Sequence, residues 1–338
     1  TNGDFSQIGS ELVTNGDFAT SSGWNGSISV SGGQGTKTSG GLAYRSGVIT
    51  SGKQYKIVVD VASLDGTTNI YAGGNNSAAL TVGVQTIYIR GGSVNDFIGL
   101  NNGYSSGVGS VFNSISVKEV GQDWSFGTGW GMGDNKAVGD GTTFEVLIQS
   151  NILTSGKFYK LNFEIKDYVS GTFRLLPSTR ADGADIRFSG NGTQTVYYES
   201  ASATLNIQQQ QFLGSVTNIS VKEVGQHWEA ESGVTFQPID GIATIISNGS
   251  FTGIFQNTSI NFANTYRVTI EHKNTTADFR VYVGNQAFDT ISTASDFTTS
   301  VVDIVAAGTE QKVYILPSQA AQTIQVKSIV VQELKHDA

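Results

Sequence analysis

Catalysis needs reactive side chains in company, and this 338-residue chain has few to offer. Its three histidines, His227, His272 and His336, stand far apart in the sequence, and cysteine is absent. No Gly-x-Ser-x-Gly, His-Glu-x-x-His or phosphate-loop pattern occurs. Asp182 and Asp185 are near enough to meet the carboxylate spacing of a glycosidase, about 5–10 Å. No carboxylate, however, recurs at a site-like position in all three copies of the internal repeat set out below. The expectation is a non-enzymatic protein with no transition-metal centre.

What the chain does offer is aromatic and amide surface. Tyr44, Tyr71, Tyr104 and Tyr282 fall outside the recurring landmarks and are the candidate glycan platforms, because the C–H face of a sugar packs on an aromatic ring. Tyr71 lies in Ile70-Tyr71-Ala72-Gly73-Gly74-Asn75-Asn76, read as a loop whose glycines admit a polar ligand. A tyrosine that merely touches another protein is the competing reading. Arg174, Arg180 and Arg187 cluster with Asp182 and Asp185. Arg174 is the candidate for a bidentate contact to an acidic glycan or a neighbouring subunit. A solvated, salt-bridged surface is the alternative.

The net charge is −8, which gives no basic surface for nucleic acid or anionic membranes. No apolar run approaches the roughly 18–20 residues that span a bilayer. Charged residues make up only 14% of the chain, glycine numbers 42 and proline 3, a mixture that favours short strands joined by glycine turns. Without cysteine there is neither a disulfide framework nor a thiolate site. Seven Asn-x-Ser/Thr sequons are what so much Asn, Ser and Thr produces by chance. The opening at Thr1, without an initiator Met or signal peptide, reads as a processed product or a segment of something longer.

The elements repeat. Val117-Lys118-Glu119-Val120-Gly121-Gln122-Asp123-Trp124 returns as Val221-Lys222-Glu223-Val224-Gly225-Gln226-His227-Trp228, and Gly52-Lys53 returns as Gly156-Lys157 at the same offset of 104. A period this long means tandem copies of a whole domain. Each copy has a strand opened by tyrosine: Tyr55, Ile57, Val59 and Val61; Tyr159, Leu161, Phe163 and Ile165; Tyr266, Val268 and Ile270. All alternate with mainly polar neighbours, as half-buried antiparallel strands do. A second landmark reads Gln85-Thr86-Ile87-Tyr88, Gln194-Thr195-Val196-Tyr197 and Gln311-Lys312-Val313-Tyr314. Closing strands follow at Ile115–Val117, Ile219–Val221 and Ile329–Val331. Phe18 and Trp24, six apart, are matched to Trp124 and Trp130, and this fixed register gives Trp24 and Trp130 a core role.

Thr14-Asn15-Gly16-Asp17-Phe18, Gly23-Trp24 and Gly52-Lys53-Gln54-Tyr55-Lys56-Ile57 resemble the opening of carbohydrate-binding-module jelly rolls. Similar units occur in phage virion proteins such as tail fibres and head decorations. The resemblance covers nearly all of copy one and most of copy two. It weakens in copy three, where Ala263-Asn264-Thr265-Tyr266 stands in for Gly-Lys-x-Tyr. Together with the alternation and the 104-residue repeat, it gives the expectation of an all-β chain of three tandem antiparallel β-sandwich jelly rolls: an arm at 1–13, then domains at 14–121, 122–225 and 226–338, with almost no linkers. The resemblance also implies a structural calcium near Asp17 and Asp123. Yet the acidic pair that holds calcium in that family reads Asn113-Ser114 and Thr217-Asn218 here, and Asp17 as a turn cap is the competing reading. No other cofactor is expected.

The functional expectation is a phage virion structural protein, as fibre, appendage or capsid decoration, binding host-surface glycans. It would self-associate and contact other virion or extracellular structural proteins, with no nucleic acid and no membrane insertion. The alternative is a secreted or cell-surface bacterial carbohydrate-binding protein, or an extracellular filament subunit. Thr1-Asn2-Gly3-Asp4-Phe5 duplicates Thr14–Phe18 thirteen residues ahead of it. Too short to form a sandwich, it is expected either to fray as a relic or to dock Phe5 and Ile8 on another subunit by strand addition.

Overall fold

The computed structural model describes residues 2–103, 107–142, 144–176, 179–181, 183–249 and 251–334. Among these there is no α-helix; the chain is built of antiparallel sheets. It divides into two compact units, residues 1–156 with 161–221, and residues 157–160 with 222–338.

In the first unit, residues 8–120 form two facing sheets. One runs Ile28–Ser31, Gln34–Lys37, Val111–Val120, Gln54–Ser63 and Gly83–Arg90, with Ile8–Glu11 added beside Val111–Val120. The other runs Asn25–Gly26, Leu42–Arg45, Ile98–Asn101, Asn69–Ala72 and Asn75–Ala79. Alternation decides what faces inward. Tyr55, Ile57, Val59 and Val61 of one sheet and Ile70, Ala72, Ile98 and Leu100 of the other share a core with Phe18 and Trp24.

Residues 125–224 fold as a single eight-stranded sheet, because two long strands serve both layers. Phe158–Leu175 and Leu205–Val224 run 18 and 20 residues. Left-handed residues interrupt each of them: Asp167 (φ 51°) and Gly171 (φ 76°) in the first, Gln211 (φ 52°) in the second. Gly171 leaves no room for a side chain, since a Cβ there would collide with the Gln211 carbonyl. Polar contacts join this fold to the first sandwich. Tyr88 donates to Asp134 at 3.2 Å, and Gln54 donates to the Trp130 carbonyl at 3.4 Å.

In the second unit, Val234–Ile239, Ile242–Ser247, Thr323–Glu333, Thr265–Asn274 and Ala294–Val305 form one sheet. Trp228–Ala230, Ile254–Asn257, Lys312–Pro317, Phe279–Val283 and Phe288–Ile291 form the other. Val268, Ile270, Ile324 and Val326 meet Val281, Val283, Val313 and Ile315 in its core.

Two of the sequence matches shift. Gly83–Arg90 pairs with the Tyr55 strand, and in the second unit the partner of the Tyr266 strand is Ala294–Val305. Gln311–Tyr314 therefore does not correspond to Gln85–Tyr88. Its strand sits between Ile254–Asn257 and Phe279–Val283, in the position held by Ile98–Asn101 in the first sandwich.

The second shift concerns the aromatic pair. Phe18 is fully buried against Trp24 at 5.0 Å between ring centroids, and the Trp24 indole donates to the Asn15 carbonyl at 3.0 Å. In the second sandwich the partner of Trp124 is Phe5, at 5.3 Å, and the Trp124 indole donates to the Asn2 carbonyl at 3.0 Å. Ile115 N donates to Gly16 O at 2.7 Å, and Ile219 N to Gly3 O at 2.8 Å. Asn2 and Asn15, at φ 47° and 58°, make the same turn, as do Phe5 and Phe18, at 55° and 54°. Trp24 thus corresponds to Trp124, not to Trp130. The segment expected to fray or to reach another subunit instead completes the second sandwich of its own chain. Trp130 is a core residue, its indole donating to the Glu145 carbonyl at 3.0 Å.

Candidate functional site

The sheet that carries Tyr44 has one buried face, made by Ala43, Ile70, Ala72, Ile98 and Leu100, so the alternate residues must point outward. Register then sets them side by side. Tyr44 pairs with Gly99, Gly99 with Tyr71, and Tyr71 with Asn76. Two tyrosines stand two strands apart, about 9–10 Å, across a position with no side chain. A Cβ at Gly99 would collide with the Ala43 carbonyl, so the gap is imposed by backbone approach. The Phe97 ring stacks on Tyr44 at 4.2 Å and 16°. Asn95 donates to the Tyr71 hydroxyl at 2.9 Å, and Asn101 donates to Asn76 at 3.0 Å. The result is an aromatic shelf edged with amides. Tyr71 lies on a strand rather than in the expected loop.

The corresponding sheet of the second unit carries a longer aromatic row. Phe255 pairs with Tyr314, Tyr314 with Tyr282, and Tyr282 with Phe288. Ring centroids follow at 5.6, 6.4 and 4.9 Å. Tyr314 is the buried floor, whereas Phe288 is 44% exposed. Cations flank the row. Lys312 Nζ lies 4.2 Å from the Phe255 centroid, and the Arg280 guanidinium lies 4.3 Å from those of Phe288 and Phe251. Lys312 is paired with Glu310 at 3.1 Å, and Glu310 also accepts from the Tyr314 hydroxyl. Burial, then this carboxylate, pushes the Tyr314 hydroxyl well above the usual tyrosine range. Arg280 meets no carboxylate among the described residues; its Nη1 lies 3.4 Å from the Tyr282 hydroxyl.

The second sandwich has Ile148 and Asn206 at the places of Tyr44 and Gly99, so no such shelf forms there. Arg174 lies on that outer face. Its Nε donates to Gln208 at 2.7 Å and its Nη1 to Asp185 at 3.2 Å. Asp185 also accepts from Arg187 at 2.7 Å, and these hydrogen bonds, Arg187 first, hold its carboxyl below the usual range. Arg180 is apart from this group, buried and bridged to Ser200. Tyr104, Asp182 and His336 lie outside the described residues.

Neither proposed calcium residue is set in a cage. The Asp17 carboxylate accepts from Ala19 N at 3.3 Å, capping its turn, and Asp123 occupies a left-handed position at φ 73°. Among the described residues no three acidic or imidazole side chains gather as a metal site would require. A single carboxylate at either place does not fit an ion that takes six to eight oxygens. A cleft of about 480 Å³ bordered by Asp4, Asp134, Lys136 and Lys166 has no aromatic lining.

Sequence reasoning named Tyr44, Tyr71 and Tyr282 but missed Phe255, Tyr314 and Phe288. The signal available was the outward phase of alternation in Ile254–Asn257 and Lys312–Pro317. No family model matches the sequence, and no curated protein does. Among solved structures, the chain is similar to the N-terminal CBM22-1-CBM22-2 tandem domain of a Paenibacillus barcinonensis protein. That likeness has 9% identity and a TM-score of 0.25, over 63% of this chain and 94% of the other. At that score the fold and the candidate faces stand on this chain's own geometry.

Proposed function

We propose that the chain is a non-enzymatic glycan-binding structural protein that takes ligand separately on the outer sheet of its first sandwich and on that of its third. The observation that carries this reading is the in-register row Phe255, Tyr314, Tyr282 and Phe288, with the Tyr44, Gly99 and Tyr71 shelf as its counterpart. Rings aligned across strands on the outer face, with Tyr314 as their buried floor, offer flat apolar area to the C–H faces of successive sugar units, and the amides and Arg280 at their edges suit hydroxyl and carboxylate groups. The setting we propose is a phage virion, as a fibre, appendage or capsid decoration that self-associates. The polar links between the first two sandwiches support a stiff pairing of those two folds, as a structural part of that kind would need. A secreted bacterial carbohydrate-binding protein or an extracellular filament subunit is the second reading, favoured by the same aromatic faces.

Isothermal titration with neutral and acidic oligosaccharides tests the binding reading. Affinity should be lost in a Tyr71→Ala, Tyr282→Ala double variant that retains its melting profile. Native mass spectrometry separates the settings: an oligomer supports the virion part, and a glycan-binding monomer supports the secreted module.

A further inference from the structure

The third sandwich repeats the receiving half of a contact whose other half is missing. Trp124 N donates to Gly121 O at 3.2 Å and Trp228 N to Gly225 O at 3.3 Å, with Asp123 and His227 both at φ 73°. Trp228 therefore stands where Trp24 and Trp124 stand. Each of those indoles donates to the asparagine carbonyl of a Thr-Asn-Gly-Asp-Phe segment whose phenylalanine is fully buried. Among the described residues, no acceptor meets the Trp228 indole and no ring packs on it.

The lining of the same place is open. Hairpin register makes Gly35, Ala137 and Ala243 equivalent; the first two are buried, and Ala243 is half-buried. Ile115 and Ile219 are 2% and 8% exposed, whereas Ile329 is half-buried. Leu334 N donates to Thr265 O at 2.8 Å, so ladder alternation turns the Ile329 N–H away from Thr265–Asn274. It faces the edge at which Ile115 and Ile219 receive Gly16 and Gly3, and no described residue pairs with it there.

We propose that the third sandwich is an acceptor for one more Thr-Asn-Gly-Asp-Phe segment, supplied by a further copy of the thirteen-residue repeat directly ahead of Thr1. The order of use identifies this occupant. The copy at 14–18 serves the first sandwich, and the copy thirteen residues upstream serves the second. The next in that series serves the third. Both copies within the chain are already buried in their own sandwiches. The one other Asn-Gly-x-Phe stretch, Asn248–Phe251, is held elsewhere: Phe251 N donates to Pro317 O at 2.8 Å and its ring lies by Arg280.

Tryptophan quenching reads the groove, because Trp24, Trp124 and Trp130 are buried and Trp228 is not. The full chain is compared with a version carrying a second copy of residues 1–13 fused ahead of Thr1, and with that fusion bearing alanine for the added phenylalanine. Acrylamide quenching should fall to the level of the three buried indoles in the first fusion and stay at the parent level in the second. Unchanged quenching, or equal protection by the alanine version, overturns the proposal. So does a concentration-dependent dimer of the parent, seen by sedimentation, in which Trp228 becomes protected, since a second molecule would then fill the groove.

Discussion

Trp124 donates its indole proton to the carbonyl of Asn2 across 122 residues, and Trp24 makes the same 3.0 Å bond to Asn15 across nine. The first sandwich is therefore an insertion within the second: the opening turn of the second lies on one side of it and the remaining strands on the other. A cut between residues 121 and 122 would not separate two complete folds.

Removing the Phe5 side chain should accordingly destabilise the second sandwich. Phe5→Ala empties a fully buried ring site and should cost about 3–5 kcal/mol, as Phe18→Ala should in the first sandwich. Denaturant melts followed by hydrogen exchange will locate the loss. For Phe5→Ala, protection should fall in Leu205–Val224 and not in Gln54–Ser63; the opposite pattern would contradict the assignment.

On the third sandwich, Arg280, which meets no carboxylate among the described residues, should select the ligand. Arg280→Gln should weaken binding of carboxylated oligosaccharides by about tenfold, the loss of ~1.4 kcal/mol expected of one charge-assisted contact, and leave neutral ones within twofold. Calorimetric titration of both sugar classes checks this.

His272 makes the second unit sensitive to acid. Burial holds its imidazole below the usual range, with Nδ1 2.7 Å from Asn274 Oδ1 and Nε2 2.8 Å from Ser300 Oγ. The unfolded chain takes up a proton near pH 6.5 that the folded chain resists, so this contribution is intact above pH 6.5 and is lost as the pH falls below it. Urea midpoints at pH 7.5 and 5 should differ in the parent and converge in His272→Gln.

Lys37 acts in the opposite range. Buried, with Nζ 2.6 Å from Gly41 O, it is pushed down to about 8 by desolvation. Below pH 8 the folded state carries that charge at a constant penalty. Between pH 8 and the unfolded value near 10.5 the unfolded chain holds the extra proton, so stability rises with pH. Lys37→Met should be more stable at pH 7 and should lose the rise, as thermal melts across that window will show.

Strands and core were legible because alternation is local: the Tyr55, Tyr159 and Tyr266 strands lie where their periodicity places them. Phe5 with Trp124 was not, because a six-residue spacing makes Trp130 look like the mate of Trp124, and only folding shows which ring fills which pocket. The aromatic rows were half legible. Tyr44 and Tyr71 show in the sequence as isolated tyrosines, but their meeting across Gly99 depends on the register of three strands. Tyr314 was hidden by its likeness to Tyr88, a shared short pattern on strands that occupy different sheets.

The nesting of one sandwich inside another also sets a timetable. Asp4 is synthesised well before Thr217, beside which it finally lies and which comes 213 residues later. At roughly 5–20 residues per second, the arm spends on the order of 10–40 s with its acceptor unmade. The first sandwich has all its strands by residue 120 and is free to close during that wait. The nascent arm therefore stays tethered beside a finished neighbour, its Phe5 ring exposed to chaperones and proteases until the ribosome has passed residue 219.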